Sequence, residues 1–121
     1  MSYELDIEKE QDLLNVHVHG TRTTENIILV TEQIIDEFFK NDCLHILMDV
    51  RDFQKQFGSP ETYFLATTEL PPLIQRRIKK VAIIEDKELE YNAKFYETVV
   101  RNRGYDFRIF TDIEEAKHWL Q

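Results

Sequence analysis

Two histidines, His17 and His19, are separated by one residue in a stretch where apolar and polar residues alternate. Side chains of a strand point alternately to its two faces, so both imidazoles are expected side by side on one face. If the preceding stretch pairs with this one as an antiparallel hairpin, its acidic residues face the same way: Glu4, Asp6 and Glu8. Imidazoles and carboxylates together can ligate a transition metal, but they also form ion pairs on a solvated face. We interpret the cluster as ion pairs and predict no metal site.

A second group of charged residues follows the ends of the predicted inner strands. In an open α/β sheet, the loops after the carboxyl ends of the strands diverge and leave a crevice where ligands bind. The predicted regulatory or binding loop comprises six residues: Asp49, Arg51, Asp52, Ser59, Glu85 and Asp86. Such an acidic edge can hold Mg²⁺, but the chain has no glycine-rich phosphate loop to accompany it. We interpret the edge as a solvated surface, and we predict no cofactor.

The residues that could act as nucleophiles have no activating partner in the sequence. Cys43 precedes a buried strand, and nothing around it spells out an activated thiolate site. Ser59 is followed by Pro60, which is the pattern of a helix N-cap and first helical residue. We therefore predict that the chain is not an enzyme. Its single cysteine cannot form an intramolecular disulfide, which favours a reducing compartment.

The pattern of elements predicts one α/β domain spanning residues 1–121. Five stretches are typical of strands: 3–8, 14–19, 44–50, 80–85 and 107–111. Four stretches are typical of helices: residues 24–40, a segment that starts at Ser59, residues 91–103, and residues 113–120. The first two strands form an antiparallel hairpin with one solvated face, and a strand–helix–strand unit makes the later strands parallel.

Local signals set the expected ends of these elements. Gly20 is interpreted as the end of the second strand, and the third strand is followed by a predicted polar loop over residues 51–58. Thr23 caps the first helix, and Asn41 is expected in the left-handed conformation at its end. Asp112 is expected to cap the last helix by accepting a hydrogen bond from the amide of Glu115.

The charge of the chain limits its partners. The formal net charge is −8, which argues against nucleic-acid binding because phosphate neutralisation needs a basic face. The first 70 residues are strongly acidic and the remainder is nearly neutral, so the two halves could contact a protein partner or a second copy in a homodimer. The chain has no signal-peptide pattern and no apolar run that spans a membrane, so we expect a cytoplasmic protein without stable membrane insertion.

This pattern resembles the SpoIIAA-like, or STAS/SEC14-type, family of small bacterial proteins. The resemblance is carried by the acidic N-terminal hairpin and by six further stretches: 20–25, 46–50, 77–84, 95–104, 108–112 and 115–120. It implies a STAS-like mixed sheet of about five strands, with an antiparallel N-terminal hairpin, parallel inner strands and four helices. It also implies a comparison with anti-sigma-factor antagonists, which are not enzymes and act by binding a kinase-like partner.

The same resemblance gives Ser59 a possible regulatory role. In those antagonists, a serine at the start of the helix after the third strand is phosphorylated, and Ser59 occupies the equivalent place. Their Asp-Ser-Ser/Thr-Gly pattern is absent, because this chain has Phe57-Gly-Ser-Pro60. We interpret Ser59 as an N-cap.

Two functional hypotheses follow. In the first, the chain is a non-enzymatic STAS-like binding or regulatory module that contacts a protein partner or a second copy of itself, using the loop from Arg51 to Ser59 and the second helix. In the alternative, it carries a small apolar or lipid-like ligand in a cavity between the second helix and the sheet. The predicted lining of that cavity is Tyr63, Phe64, Leu70 and Leu73.

Overall fold

All the strands of the described residues belong to one β-sheet. The structure is a computed structural model, and it describes residues 3–55, 78–89, 94, 97–98, 101–102, 104 and 106–121. Its strands are β1 (Tyr3–Glu10), β2 (Leu13–Arg22), β3 (His45–Asp49), β4 (Phe53–Lys55), β5 (Lys80–Ile84) and β6 (Phe107–Phe110). Two helices are given in full within these residues, α1 (Thr24–Lys40) and α2 (Ile113–Leu120).

The strand order is β1-β2-β3-β5-β6, with β4 paired to β2 outside this path. β1 and β2 are antiparallel, and all the other described pairs are parallel. The predicted mixed sheet, with its antiparallel hairpin and parallel inner strands, is confirmed. Because the inner strands are parallel, the carboxyl ends of β2, β3, β5 and β6 meet at one edge of the sheet.

The end of β2 differs from the prediction. Gly20 does not end the strand; it adopts φ 125°, which is accessible mainly to glycine. The strand continues to Arg22 and pairs in parallel with β4, Gly20 lying opposite Phe53. Residues 53–55, predicted as loop, therefore form β4, a short strand in addition to the five predicted ones. Its Phe53 side chain is 4% exposed and packs in the main core.

Helix α1 covers one face of the sheet. Thr23 caps it as predicted, its Oγ1 accepting a hydrogen bond of 3.0 Å from the amide of Asn26. Its apolar stripe is buried in the main core against β2 and β3: Ile27, Val30, Ile34 and Phe38. At its end, the left-handed residue is Asp42 with φ 55°, whereas Asn41 has φ −98°. The expected left-handed Asn41 was therefore wrong by one position.

Helix α2 covers the other face of the inner strands. Its Ala116 and Leu120 pack against Leu47, Ala82 and Ile84, so β3 and β5 are buried on both faces. Asp112 caps the helix, but its Oδ1 accepts from the amide of Glu114 at 3.1 Å rather than from that of Glu115. The predicted cap is correct and its predicted donor was wrong.

A helical segment also lies between β5 and β6, as predicted. Its described residues are Lys94, Glu97, Thr98, Arg101 and Asn102. It contacts the backbone of β6, where the amide of Ile109 donates to Glu97 Oε1 and the carbonyl of Ile109 accepts from Lys94 Nζ, both at 2.7 Å. The fourth predicted helix, starting at Ser59, lies outside the described residues.

Candidate functional site

An ion pair between Arg22 and Glu85 lies at the carboxyl-end edge of the sheet. The Arg22 guanidinium donates to both oxygens of Glu85, at 2.9 and 3.1 Å, and to the carbonyl of Val50 at 2.9 Å. Arg22 is 4% exposed and Glu85 is 1% exposed. The guanidinium also lies 5.4 Å from the centre of the Phe53 ring. We call Arg22 and Glu85 the buried pair.

The buried pair joins the ends of three strands. Arg22 ends β2, Val50 follows β3 and Glu85 follows β5, so one guanidinium connects all three. A charge removed from water needs a partner and good geometry, and a bidentate arginine–carboxylate contact supplies both. Glu85 is therefore held by a structural contact, which sets it apart from an accessible acid, base or metal ligand.

Asp49, at the end of β3, forms a second ion pair with Arg51, two residues further along the chain. Arg51 Nε and Nη2 donate to the two oxygens of Asp49 at 3.0 and 2.7 Å, and the Arg51 amide donates to the first of them at 3.1 Å. Burial acts to raise the pKa of Asp49, but the hydrogen bonds and charge of Arg51, with a smaller contribution from His17, outweigh it and lower this pKa. Asp49 is thus held as a carboxylate.

The structure divides the predicted binding loop by exposure. Asp49 and Glu85 are buried and paired with arginines, whereas Arg51, Asp52 and Asp86 are exposed. We call these three exposed residues the rim. Strand pairing brings the two parts of the loop together, since the amide of Val50 donates to the carbonyl of Ile84 at 3.0 Å. Ser59 lies outside the described residues, as do the predicted cavity residues Tyr63, Phe64, Leu70 and Leu73.

The sequence reasoning missed Arg22. It stands 63 residues from Glu85, so no local pattern links them. One signal was available: Glu85 directly follows a continuous apolar strand, and a carboxylate at the end of a buried strand needs a counter-charge. Interpreting Gly20 as a strand end removed Arg22 from consideration.

The two histidines lie where the alternation predicted, on the solvated face of β2. Asp6 is opposite His17 and Glu4 is opposite His19 in the β1–β2 ladder. His17 Nε2 lies 2.8 Å from Asp52 Oδ2, and His19 Nε2 lies 3.3 Å from Asp6 Oδ2. The two imidazole rings are 4.1 Å apart between centroids. We call His17, His19 and Asp6 the histidine face.

The histidine face borders an open groove of about 680 Å³. Its lining includes Asp6, Glu8, Asn15, His17, Asp49 and Ile113. Residues of β1 and β2 line the groove together with Ile113, the first residue of α2. Both histidine side chains are more than one third exposed, at 37% and 39%, so ions and small molecules reach them from solvent.

Cys43 lies away from both charged regions. It is 0% exposed and sits in the main core just before β3. Burial is the largest influence and raises the pKa of its thiol, with nearby Lys9 acting in the opposite direction. A buried, protonated thiol is a poor nucleophile.

No helix within the described residues is long and apolar enough to cross a membrane.

Lys80, at the start of β5, makes an internal contact: its Nζ donates to the carbonyl of Trp119 at 2.8 Å and lies 5.2 Å from the centre of the Trp119 ring. This contact ties the end of α2 to β5.

Solved structures share this arrangement of strands and helices. An uncharacterised protein with a SpoIIAA-like fold from Shewanella loihica PV-4 is 23% identical, with a TM-score of 0.62; the match covers 98% of this chain and 93% of that chain. An anti-sigma factor antagonist from Mycobacterium paratuberculosis is 10% identical, also with a TM-score of 0.62, over 97% of this chain and 92% of that chain. At these identities the likeness establishes the fold alone.

No curated protein sequence matches this chain significantly. The family model described as SpoIIAA-like matches residues 13–121, which span β2 to the last residue and include both arginine–carboxylate pairs as well as His17 and His19. The chain therefore belongs to the SpoIIAA-like family, as the resemblance in its sequence predicted.

Proposed function

We propose that this chain is a non-enzymatic regulatory module that acts by binding a protein partner through the rim. The observation that carries the proposal is the division of charges at the carboxyl-end edge of the sheet. Asp49 and Glu85 are buried and paired with arginines, whereas three charged side chains at this edge are exposed: Asp86, Asp52 beside His17, and Arg51, which also holds Asp49. Fixed charges on a rigid edge favour selective recognition of a complementary surface.

The described groups support binding rather than catalysis. A general base must be reachable by a substrate and free to take up a proton, and Glu85 is 1% exposed and bidentate to Arg22. Cys43 is buried with a raised pKa, so it does not supply an activated thiolate. The buried pair instead holds the rim backbone in place, which lowers the ordering cost when a partner binds.

The family supports a protein as the partner. The Mycobacterium paratuberculosis structure with the same fold is named an anti-sigma factor antagonist, a name that refers to action on another protein. We propose that the present chain belongs to the same broad class of regulators. Its partner is either a different protein or a second copy of the chain.

Native mass spectrometry of the purified chain, followed by affinity capture from its host, tests this proposal. We expect a dimer, or one captured protein at near-equal stoichiometry. Asp86→Lys reverses a rim charge, and Arg51→Gln removes one; each should weaken the complex at least tenfold, because rim charges face the partner directly. The measurements are made in EDTA so that metal ions do not contribute.

The matched control is Glu32→Lys on the exposed face of α1, which changes the net charge by the same amount as Asp86→Lys. It should bind the partner as the wild type does. If the chain is monomeric and captures nothing, or if all three variants behave alike, the proposal is wrong. The carrier hypothesis stays a prediction, because its lining residues lie outside the described part of the chain; a retained small molecule in the same spectra would support it.

A further inference from the structure

We propose that the histidine face is a binding site for a divalent transition-metal ion, ligated by Nε2 of His17, Nε2 of His19 and a carboxylate oxygen of Asp6. These three residues come from two neighbouring strands and stand on one face of the sheet. None of these three ligands belongs to the rim, and the proposal does not depend on the protein partner proposed above; Asp52 is the rim residue that contacts this site.

The ligand atoms are already close together. The nearest nitrogen and oxygen atoms of the three side chains all lie within 4.8 Å of one another. Zinc binds imidazole nitrogen and carboxylate oxygen at about 2.0–2.2 Å, so two ligands of one tetrahedral ion lie about 3.4 Å apart. Rotations of these exposed side chains close a difference of at most about 1.4 Å, and the backbone of the hairpin need not move.

The types of ligand indicate the class of metal. Two imidazoles with one carboxylate suit zinc, iron, nickel or copper, whereas calcium and magnesium prefer oxygen ligands throughout. Asp52 Oδ2, at 2.8 Å from His17 Nε2, is close enough to supply a fourth ligand. The two imidazole rings lie 4.1 Å apart between centroids with a tilt of 45°, and each offers a ring nitrogen within 4.8 Å of the other ligand atoms.

The strand geometry favours chelation over a chance cluster. Residues two apart on a strand share a face, and the ladder fixes Asp6 directly opposite His17. Folding of the hairpin therefore already fixes the backbone positions of the three ligands, so metal binding does not have to supply that conformational entropy cost. The open groove beside Asp6 and His17 leaves the remaining coordination positions to water or to a small anionic ligand.

The test uses the full chain without a polyhistidine tag. Zinc chloride is titrated by isothermal calorimetry, and cobalt chloride is followed by its visible absorption, which reports coordination by nitrogen and oxygen. We expect one ion per chain. His19→Asn and Asp6→Asn should each weaken binding at least about tenfold, because each removes one ligand.

His118→Asn is the matched control, since His118 is an exposed histidine on α2, away from this site. It should leave zinc affinity unchanged. Unfolding curves in EDTA establish that each variant is folded. Zinc binding that is absent at stoichiometry, or that is equally weakened by His118→Asn, or that is unaffected by His19→Asn, would overturn the proposal.

Discussion

Two ionic clusters in this chain have similar groups and opposite surroundings. The buried pair places one guanidinium against one carboxylate at 2.9 and 3.1 Å with almost no exposure. The histidine face places two imidazoles among several carboxylates in contact with solvent. In the first, the site is closed to solvent; in the second, each histidine lies beside a carboxylate and the site is open. Burial thus separates a contact that stabilises the fold from one that is available to bind.

The energies of the two clusters differ for the same reason. A charge in the interior loses its hydration, so removing its partner leaves a large uncompensated penalty. A solvated pair retains hydration and is screened, so its loss changes little. The following predictions test this contrast, beginning with the largest effect.

Arg22→Met should destabilise the chain most. Glu85 would then be a buried carboxylate without its guanidinium, which costs about 3–5 kcal/mol in the free energy of unfolding. Urea denaturation followed by circular dichroism measures this cost. The double variant Arg22→Met with Glu85→Met should recover most of the loss, because no buried charge remains. A loss below about 1 kcal/mol in the single variant would show that the pair is not structural.

Asp49→Asn should have an intermediate effect. It weakens two charge-assisted hydrogen bonds to Arg51, but Arg51 is exposed and keeps its hydration, so we expect a loss of about 1–2 kcal/mol. The same urea titration at neutral pH measures it. Asp36→Asn, on the exposed face of α1, is the control and should leave the midpoint unchanged.

Cys43 should make stability fall at alkaline pH. Burial raises the pKa of its thiol above the ordinary value of 9.0, so the unfolded chain releases this proton at lower pH than the folded chain does. Its contribution is fully present below pH 9.0 and is lost above it, with a slope of at most about 1.4 kcal/mol per pH unit. The free energy of unfolding, measured between pH 8 and 10 for the wild type and Cys43→Ala, should diverge in this direction. Parallel curves would contradict the assignment.

His17→Asn should have the smallest effect on the metal-free chain. Solvated ion pairs contribute little, so the free energy of unfolding in EDTA should change by no more than about 0.5 kcal/mol. In excess zinc chloride, the wild type alone should gain stability, because a ligand that binds the folded state raises its melting temperature. Calorimetric scans with and without zinc measure the melting temperature of the metal-free and the zinc-bound chain. A loss of several kcal/mol in the free energy of unfolding in EDTA would contradict this prediction and show that the contacts of His17 stabilise the fold.

The two clusters also differ in how far the sequence predicted them. His17, His19 and Asp6 were placed correctly, because strand alternation and a short hairpin loop are local patterns. The capping of α1 by Thr23 and the double burial of β3 and β5 followed from equally local signals. The buried pair does not follow from local patterns, since Arg22 and Glu85 meet only because β2 continues past Gly20 and parallel pairing brings the strand ends together.

Solvent accessibility was the other quantity that local patterns did not determine. The binding loop was predicted from the positions of the strand ends, and that prediction treated its six polar residues as equivalent. The structure buries two of them against arginines and exposes three, and Arg22, the arginine that pairs with Glu85, comes from a distant strand.

The two outer strands of the sheet have consequences for how the chain avoids aggregation. Within the described residues, β1 and β6 are the outermost strands of the sheet. An open strand edge is a template for adding a foreign strand, which leads to fibrous assembly. Lys94 and Glu97 occupy backbone groups of Ile109 in β6, and β1 places four carboxylates along its exposed positions: Glu4, Asp6, Glu8 and Glu10. At one outer strand two backbone groups are thus occupied, and at the other the like charges of β1 disfavour pairing with the same strand of a second copy.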